Sequence, residues 1–264
     1  MTLVKICGVR SPEIARVVAE VGADLMGLIF APARRQVTVA AAAAIVAALR
    51  AAPSRVGGGA EAEAALLAAV HAPAAVGVFV DEAPERMNAL AEAVGLDLIQ
   101  LSGDEPPALL AQLARPAIKA LRLPAGTTLD AARRAAASYL EAPVPARALL
   151  LDTHVTGSYG GNGVVGDWEL AAALAREFPV ILAGGLNPEL APGAIARVRP
   201  LGVDVSSGVE TEGEKNPARI RAFVAAARRQ RLVPQYLIQS EPFRLPEQAS
   251  QRAVHTQQTQ RSAT

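Results

Sequence analysis

The chain reads as an α/β protein, a single (β/α)8 TIM barrel. Three observations carry that expectation. Short β-branched or aliphatic runs lack in–out alternation, as in parallel strands buried on both faces. Each run is followed by a longer, Ala-rich segment with helical spacing. Eight such units fit within about 230 residues, the length of a closed barrel. A doubly wound sheet would use fewer strands and carry a Gly-rich turn after the first. Here that turn reads Cys7-Gly8-Val9-Arg10, which is not the dinucleotide fingerprint.

The units follow in order. Strand Leu3–Ile6 leads to a helix over Pro12–Val21, with Ser11 as N-cap and Pro12 suited to the first turn. Leu25–Phe30 is followed by a helix near Val39–Arg50, and Val76–Val80 by one over Pro84–Ala93. Leu98–Leu101 precedes a helix near Pro107–Ala114, and Ala117–Leu121 one over Leu129–Leu140. Ala148–Asp152 runs into a Gly-rich loop and a helix from Trp168 to Phe178. Val180–Ala183 is followed by a helix near Leu190–Val198, and Val203–Ser206 by a last helix from Pro217 to about Arg229. The barrel therefore spans residues 1–231, with an insertion at about 53–74 marked by Gly57-Gly58-Gly59. Residues 232–264 hold seven of the eleven Gln and no sustained periodicity, so they read as a disordered polar tail.

Composition narrows the function. With 26 basic and 25 acidic residues the net charge is +1, without the basic excess of a general nucleic-acid binder. Hydrophobic residues reach 51% but aromatics only 3%, so the core must be aliphatic. Cys7 is the single cysteine, which excludes an intramolecular disulfide and favours a reducing cytoplasm. Lys5 and Arg10 interrupt the N-terminus before a signal-peptide core can form. The longest apolar run, between Arg35 and Arg50, falls short of the roughly 20 residues of a membrane helix. The expected partner is a small molecule rather than nucleic acid or membrane; monomer and homodimer stay open.

A barrel places its chemistry at the C-terminal strand ends. Small residues after strands seven and eight, Gly184-Gly185 and Ser206-Ser207-Gly208, let backbone N–H groups approach a phosphate, and Gly160, Gly161 and Gly163 after strand six add donors. Turn-making alone would also explain a single glycine pair. Cys7 and Asp152 end strands that face each other across the mouth. A thiolate is a competent base and a carboxylic acid a proton donor. A buried small hydrophobe and a loop cap are the competing roles. Arg35 lies just beyond strand two and Ser102 just beyond strand four. Only three lysines occur in this Arg-rich chain: Lys5, Lys119 and Lys215. Lys5 and Lys119 sit within strands where a charge can project inward, an inward Lys5 beside Asp204 makes an ion pair, and both of that pair are expected among the substrate-binding residues.

Six ordered motifs then resemble one family. They are Lys5-Ile6-Cys7-Gly8-Val9-Arg10, Gly77-Val78-Phe79-Val80, Gln100-Leu101-Ser102-Gly103, Leu151-Asp152 with Gly160-Gly161-Asn162-Gly163, Leu182-Ala183-Gly184-Gly185-Leu186, and Gly202 through Glu210. Over residues 3–229 the chain resembles the phosphoribosylanthranilate isomerases of tryptophan biosynthesis. The resemblance implies an Amadori rearrangement of N-(5-phosphoribosyl)anthranilate to 1-(2-carboxyphenylamino)-1-deoxyribulose 5-phosphate. It implies Cys7 as general base, Asp152 as general acid, Arg35 on the anthranilate carboxylate, and no cofactor. The three His (His71, His154, His255) are scattered and suggest no metal site. The chain departs from the family pattern in four places. Ala33-Arg34 stands where Ser-Pro is usual, Ser102 replaces a His, Asn162 a Thr and Asn216 an Asp.

Overall fold

A computed structural model of the protein describes residues 2–53, 73–124, 126–152, 168–230 and 233–237. Eight parallel strands close in sequence order. They are β1 (Leu3–Cys7), β2 (Leu25–Ile29), β3 (Ala74–Phe79), β4 (Leu98–Leu101), β5 (Ala117–Arg122), β6 (Ala148–Asp152), β7 (Val180–Ala183) and β8 (Gly202–Val205). β8 pairs back onto β1, with Lys5 opposite Asp204. The expected barrel is present.

Helices α1 (Pro12–Glu20), α2 (Val39–Ala51), α3 (Pro84–Val94), α4 (Leu129–Leu140), α5 (Trp168–Ala175), α6 (Ala191–Val198) and α7 (Pro217–Arg229) surround the strands. Their starts follow local chemistry. Ser11, Thr38, Thr128 and Asn216 each accept a backbone N–H of the first turn, and Pro12, Pro84 and Pro217 occupy positions where a missing N–H costs nothing. The helix expected after β4 is instead a 3-10 helix, Pro107–Gln112. Pro106 and Pro116 confine this link, and Asn88 of α3 stands in for helix ends. Asn88 donates to Gln112 O (2.8 Å) and accepts from Ala114 N (2.8 Å). Beyond β8, β9 (Glu210–Thr211) and β10 (Glu214–Lys215) form an antiparallel hairpin.

Two apolar layers result. One fills the barrel from alternate strand residues, among them Leu3, Leu25, Val76, Leu98, Ile118, Ala120, Leu150 and Ile181. The other joins the outward strand faces to the helices. The inward alternation decides what reaches the C-terminal mouth. After Leu3 it gives Lys5 and Cys7; after Leu98, Gln100; after Ile118 and Ala120, Arg122; after Ala148 and Leu150, Asp152. Lys119 is out of that phase. Its side chain lies outside the barrel wall, buried on Glu105 (2.7 Å), Gly103 O (2.6 Å) and the Tyr139 ring.

Within the stretch expected to be a disordered tail, Val233–Leu237 lies against the barrel. Gln235 N donates to Arg199 O (3.1 Å), Arg199 Nη2 donates to Val233 O (3.1 Å), and Tyr236 packs on the inner apolar cluster. Residues 238–264, and residues 54–72 of the insertion, lie outside the described residues. Among the described residues no helix is long and apolar enough to cross a membrane.

Candidate active site

A cavity of about 390 Å3 opens at the C-terminal ends of the strands. Cys7, Asp152, Gly184, Gly185, Asp204, Ser206, Ser207 and Gly208 all line it, although they come from four strands. Gln100, Ser102 and Arg122 complete the polar part of the wall. Gly160, Gly161 and Gly163 lie outside the described residues.

Cys7 ends β1 with its side chain inward and buried. Directly below it Lys5 is fully buried, and its Nζ donates to Asp204 Oδ1 (2.9 Å). Lys5 was expected among the substrate-contacting residues; it sits one layer beneath the cavity, whereas its partner Asp204 reaches the wall. Burial alone would lower the Lys5 ammonium's pKa. The charges of Asp204 and Cys7 outweigh burial and hold Lys5 above the ordinary lysine value. Burial pushes the Cys7 thiol up; Lys5 pulls the other way and is the largest opposing influence. Cys7 therefore sits under two opposed influences, burial that raises its thiol and the buried Lys5 cation beneath that draws it down. Gly27, opposite Cys7 on β2, makes that stack possible. A Cβ there would lie 2.8 Å from Cys7 Sγ and 3.3 Å from Lys5 Nζ.

Asp152 ends β6, opposite Arg122 on β5 and Ala183 on β7 in the strand register. Arg122 donates to Ser102 O, which ties the ends of β4 and β5 together. The loops after β7 and β8 touch backbone to backbone. A Cβ on Gly208 would fall 1.8 Å from Leu186 O, so only glycine permits this approach. Their small residues leave main chain, rather than side chains, at that side of the cavity.

Arg35 is not among the residues that line the cavity; it lies against Gly8 within a charged cluster. Its Nε and Nη2 donate to Glu210 Oε1 (2.6 Å) and Oε2 (2.9 Å). Lys215 Nζ donates to Glu210 Oε1 (2.9 Å) and to Ser206 O (2.9 Å); Arg34 Nη2 donates to Glu210 Oε2 (2.7 Å). Burial alone would raise Glu210, but the donors from Arg35, Lys215 and Arg34 overcome it and hold the carboxyl down at about 2. Three cations around one carboxylate leave a local excess of positive charge. Arg34 is spent on the hairpin, with Nη1 on Gly213 O (2.9 Å) and its side chain 54% exposed. Arg35 is 21% exposed and keeps Nη1 without a partner among the described residues. Among the described residues no group of three His, Cys, Asp or Glu comes together as metal ligands would.

Several contributors escaped the sequence reading. Arg122 follows two inward residues at period two, a signal that was present. Gly27 is a glycine inside a strand, a general sign of close approach. The hold of Glu210 on Arg35 and Lys215 has no local signal, because the hairpin must close before the three meet.

The site has counterparts in known proteins. The family model for N-(5'-phosphoribosyl)anthranilate (PRA) isomerase matches residues 59–226. An N-(5'-phosphoribosyl)anthranilate isomerase from Roseiflexus castenholzii is 47% identical over 228 residues, which cover 86% of this chain and 98% of that one. The dimeric phosphoribosylanthranilate isomerase of Thermotoga maritima, solved as generated monomers, matches with TM-score 0.66 and 32% identity over 86% of this chain and 99% of that one. A phosphoribosylanthranilate isomerase solved with reduced 1-(o-carboxyphenylamino)-1-deoxyribulose 5-phosphate matches with TM-score 0.66 and 33% identity, over the same shares of the two chains.

Proposed function

The chain belongs to the N-(5'-phosphoribosyl)anthranilate isomerase family of tryptophan biosynthesis, and we propose that it isomerises that substrate with Cys7 as general base and Asp152 as general acid. The carrying observation is that these two residues, from β1 and β6, line one cavity with the backbone of the loops after β7 and β8.

The loops take the 5-phosphate through Gly184, Gly185, Ser206, Ser207 and Gly208. Arg35, turned by Glu210, offers its remaining Nη1 to the anthranilate carboxylate. The reacting carbons then lie between Cys7 and Asp152. Asp152 gives its proton to the ribose ring oxygen as the C1′–O bond breaks, and the anthranilate nitrogen's lone pair forms the Schiff base. Cys7, as thiolate, takes the C2′ proton, and that electron pair moves to give the enolamine. A proton returns to C1′ as the C2′ hydroxyl loses its own, which gives the ketone. The substrate's own nitrogen supplies the electron sink, so no cofactor enters the sequence. Lys5, held by Asp204, is the cation that favours the thiolate when Cys7 must lose its proton.

A free thiol at the centre of this chemistry supports a reducing, cytoplasmic location. The Thermotoga maritima relative is dimeric; for this chain we propose monomer or homodimer, which sedimentation equilibrium distinguishes. The test of the activity is turnover by the purified chain, read as loss of the fluorescent phosphoribosylanthranilate. Turnover supports the reading. Phosphate binding without turnover would mark a non-catalytic phosphosugar-binding barrel.

A further inference from the structure

Gln100 stands midway along the inward face of β4, one layer above Leu98, and is 5% exposed. It lines the cavity. Its Nε2 donates to Ser102 Oγ (3.0 Å). Its Oε1 is buried and has no hydrogen-bond partner among the described residues. Its register neighbours, Val78 on β3 and Ile118 on β5, are apolar. A buried acceptor without a partner is costly and uncommon in folded proteins. A site that keeps one is built to receive a donor.

We propose that Gln100 is a specificity-determining residue whose Oε1 accepts a hydrogen bond from a hydroxyl of the substrate's pentose chain. This rests on the reading of the cavity as the isomerase site. The substrate carries two kinds of neutral donor, the sugar hydroxyls and the anthranilate N–H. The N–H is already engaged by the ortho carboxylate within the same molecule. The hydroxyls have no such internal partner and must give up water when they enter the cavity. Ser102 takes part indirectly. With Nε2 on Ser102, Oε1 is the amide atom left for the ligand.

The experiment is calorimetric titration with reduced 1-(o-carboxyphenylamino)-1-deoxyribulose 5-phosphate, using wild type and Gln100→Met, which keeps the volume and removes the acceptor. We expect Gln100→Met to weaken the analogue at least about 10-fold. Binding of inorganic phosphate, which needs only the loops after β7 and β8, stays unchanged. Analogues lacking the C3 or the C4 hydroxyl identify the donor. The one that pairs with Gln100 binds wild type more weakly than the parent, yet binds wild type and Gln100→Met alike. Equal affinity of the parent analogue for both proteins overturns the proposal. So does full affinity of wild type for both deoxy analogues, an arm that needs no variant to fold. If wild type neither turns over phosphoribosylanthranilate nor binds the analogue, the isomerase reading fails and takes this proposal with it.

Discussion

Glu210 holds Arg35, Arg34 and Lys215 together, and its carboxyl is held well below the usual range by them. Its pKa lies at about 2 in the folded protein against an ordinary 4.5. A lowered folded-state pKa contributes stability that is complete above the unfolded value and disappears as the pH falls through the folded one. Glu210 therefore stabilises the protein fully above pH 4.5, and this contribution drains away between 4.5 and about 2. We expect Glu210→Gln to flatten the acid-unfolding curve in that window, measured by circular dichroism. The same variant should raise KM, because Arg35 loses the contact that turns it. A variant that keeps the wild-type slope between pH 4.5 and about 2 would contradict the first expectation. At this scale the sequence was most informative where chemistry and strand position coincide. Cys7 and Asp152 are unusual residue types at strand ends, and they line one cavity. Lys5 and Asp204 pair as their register allows. Arg35 was legible as a residue just beyond strand two, but its carboxylate partner was not, because Glu210 arrives on a hairpin from the far end of the chain.

β2 contributes no catalytic group, yet the base depends on it. Gly27 leaves room for Cys7 and Lys5 to stack against the strand. Gly27→Ala should displace the thiol and cut kcat at least about 10-fold, while the overpacking costs about 1–3 kcal/mol of stability. Steady-state kinetics with a thermal melt separate the two effects; unchanged kcat would mean that the stack tolerates the methyl. The elements themselves were largely readable, because continuous apolar runs and helix caps are local signals. Ser11 announces α1 in the sequence and caps it in the structure, as Thr38 and Thr128 cap α2 and α4. The link between β4 and β5 was not readable. Its apolar spacing suits an α-helix, but two flanking prolines and Asn88 from α3 hold it as a 3-10 helix. Lys119 was also misleading by its position within β5. A one-residue shift in phase sends it out of the barrel to Glu105.

For the whole molecule, eight units closing in order put every inward residue of the last layer at one mouth. The aliphatic composition suits this arrangement, since Ala, Val, Leu and Ile fill the inner cluster without large rings. The opposite end of the barrel matters for stability rather than chemistry. Tyr236 covers part of the inner cluster there, held by the contacts between Arg199 and Val233–Gln235. Truncation after Leu237 should leave Tm and activity unchanged. Truncation after Arg231 removes Tyr236 and should lower Tm by about 2–4 °C, the shift that roughly 1 kcal/mol produces in a domain of this size. Identical melts for the two truncations would show that the segment contributes nothing. Composition alone concealed this, because Tyr236 is embedded in a Gln-rich polar stretch.

The central claim is that proton transfer is divided between Cys7 and Asp152 across one cavity. It is tested most directly by single-turnover isomerisation of phosphoribosylanthranilate by Cys7→Ser and Asp152→Asn, measured beside wild type. The account predicts that each variant melts as wild type does, still binds inorganic phosphate, and loses at least about 10²-fold in rate, the usual contribution of a positioned acid or base. A rate near that of wild type in either variant would contradict the role assigned to that residue.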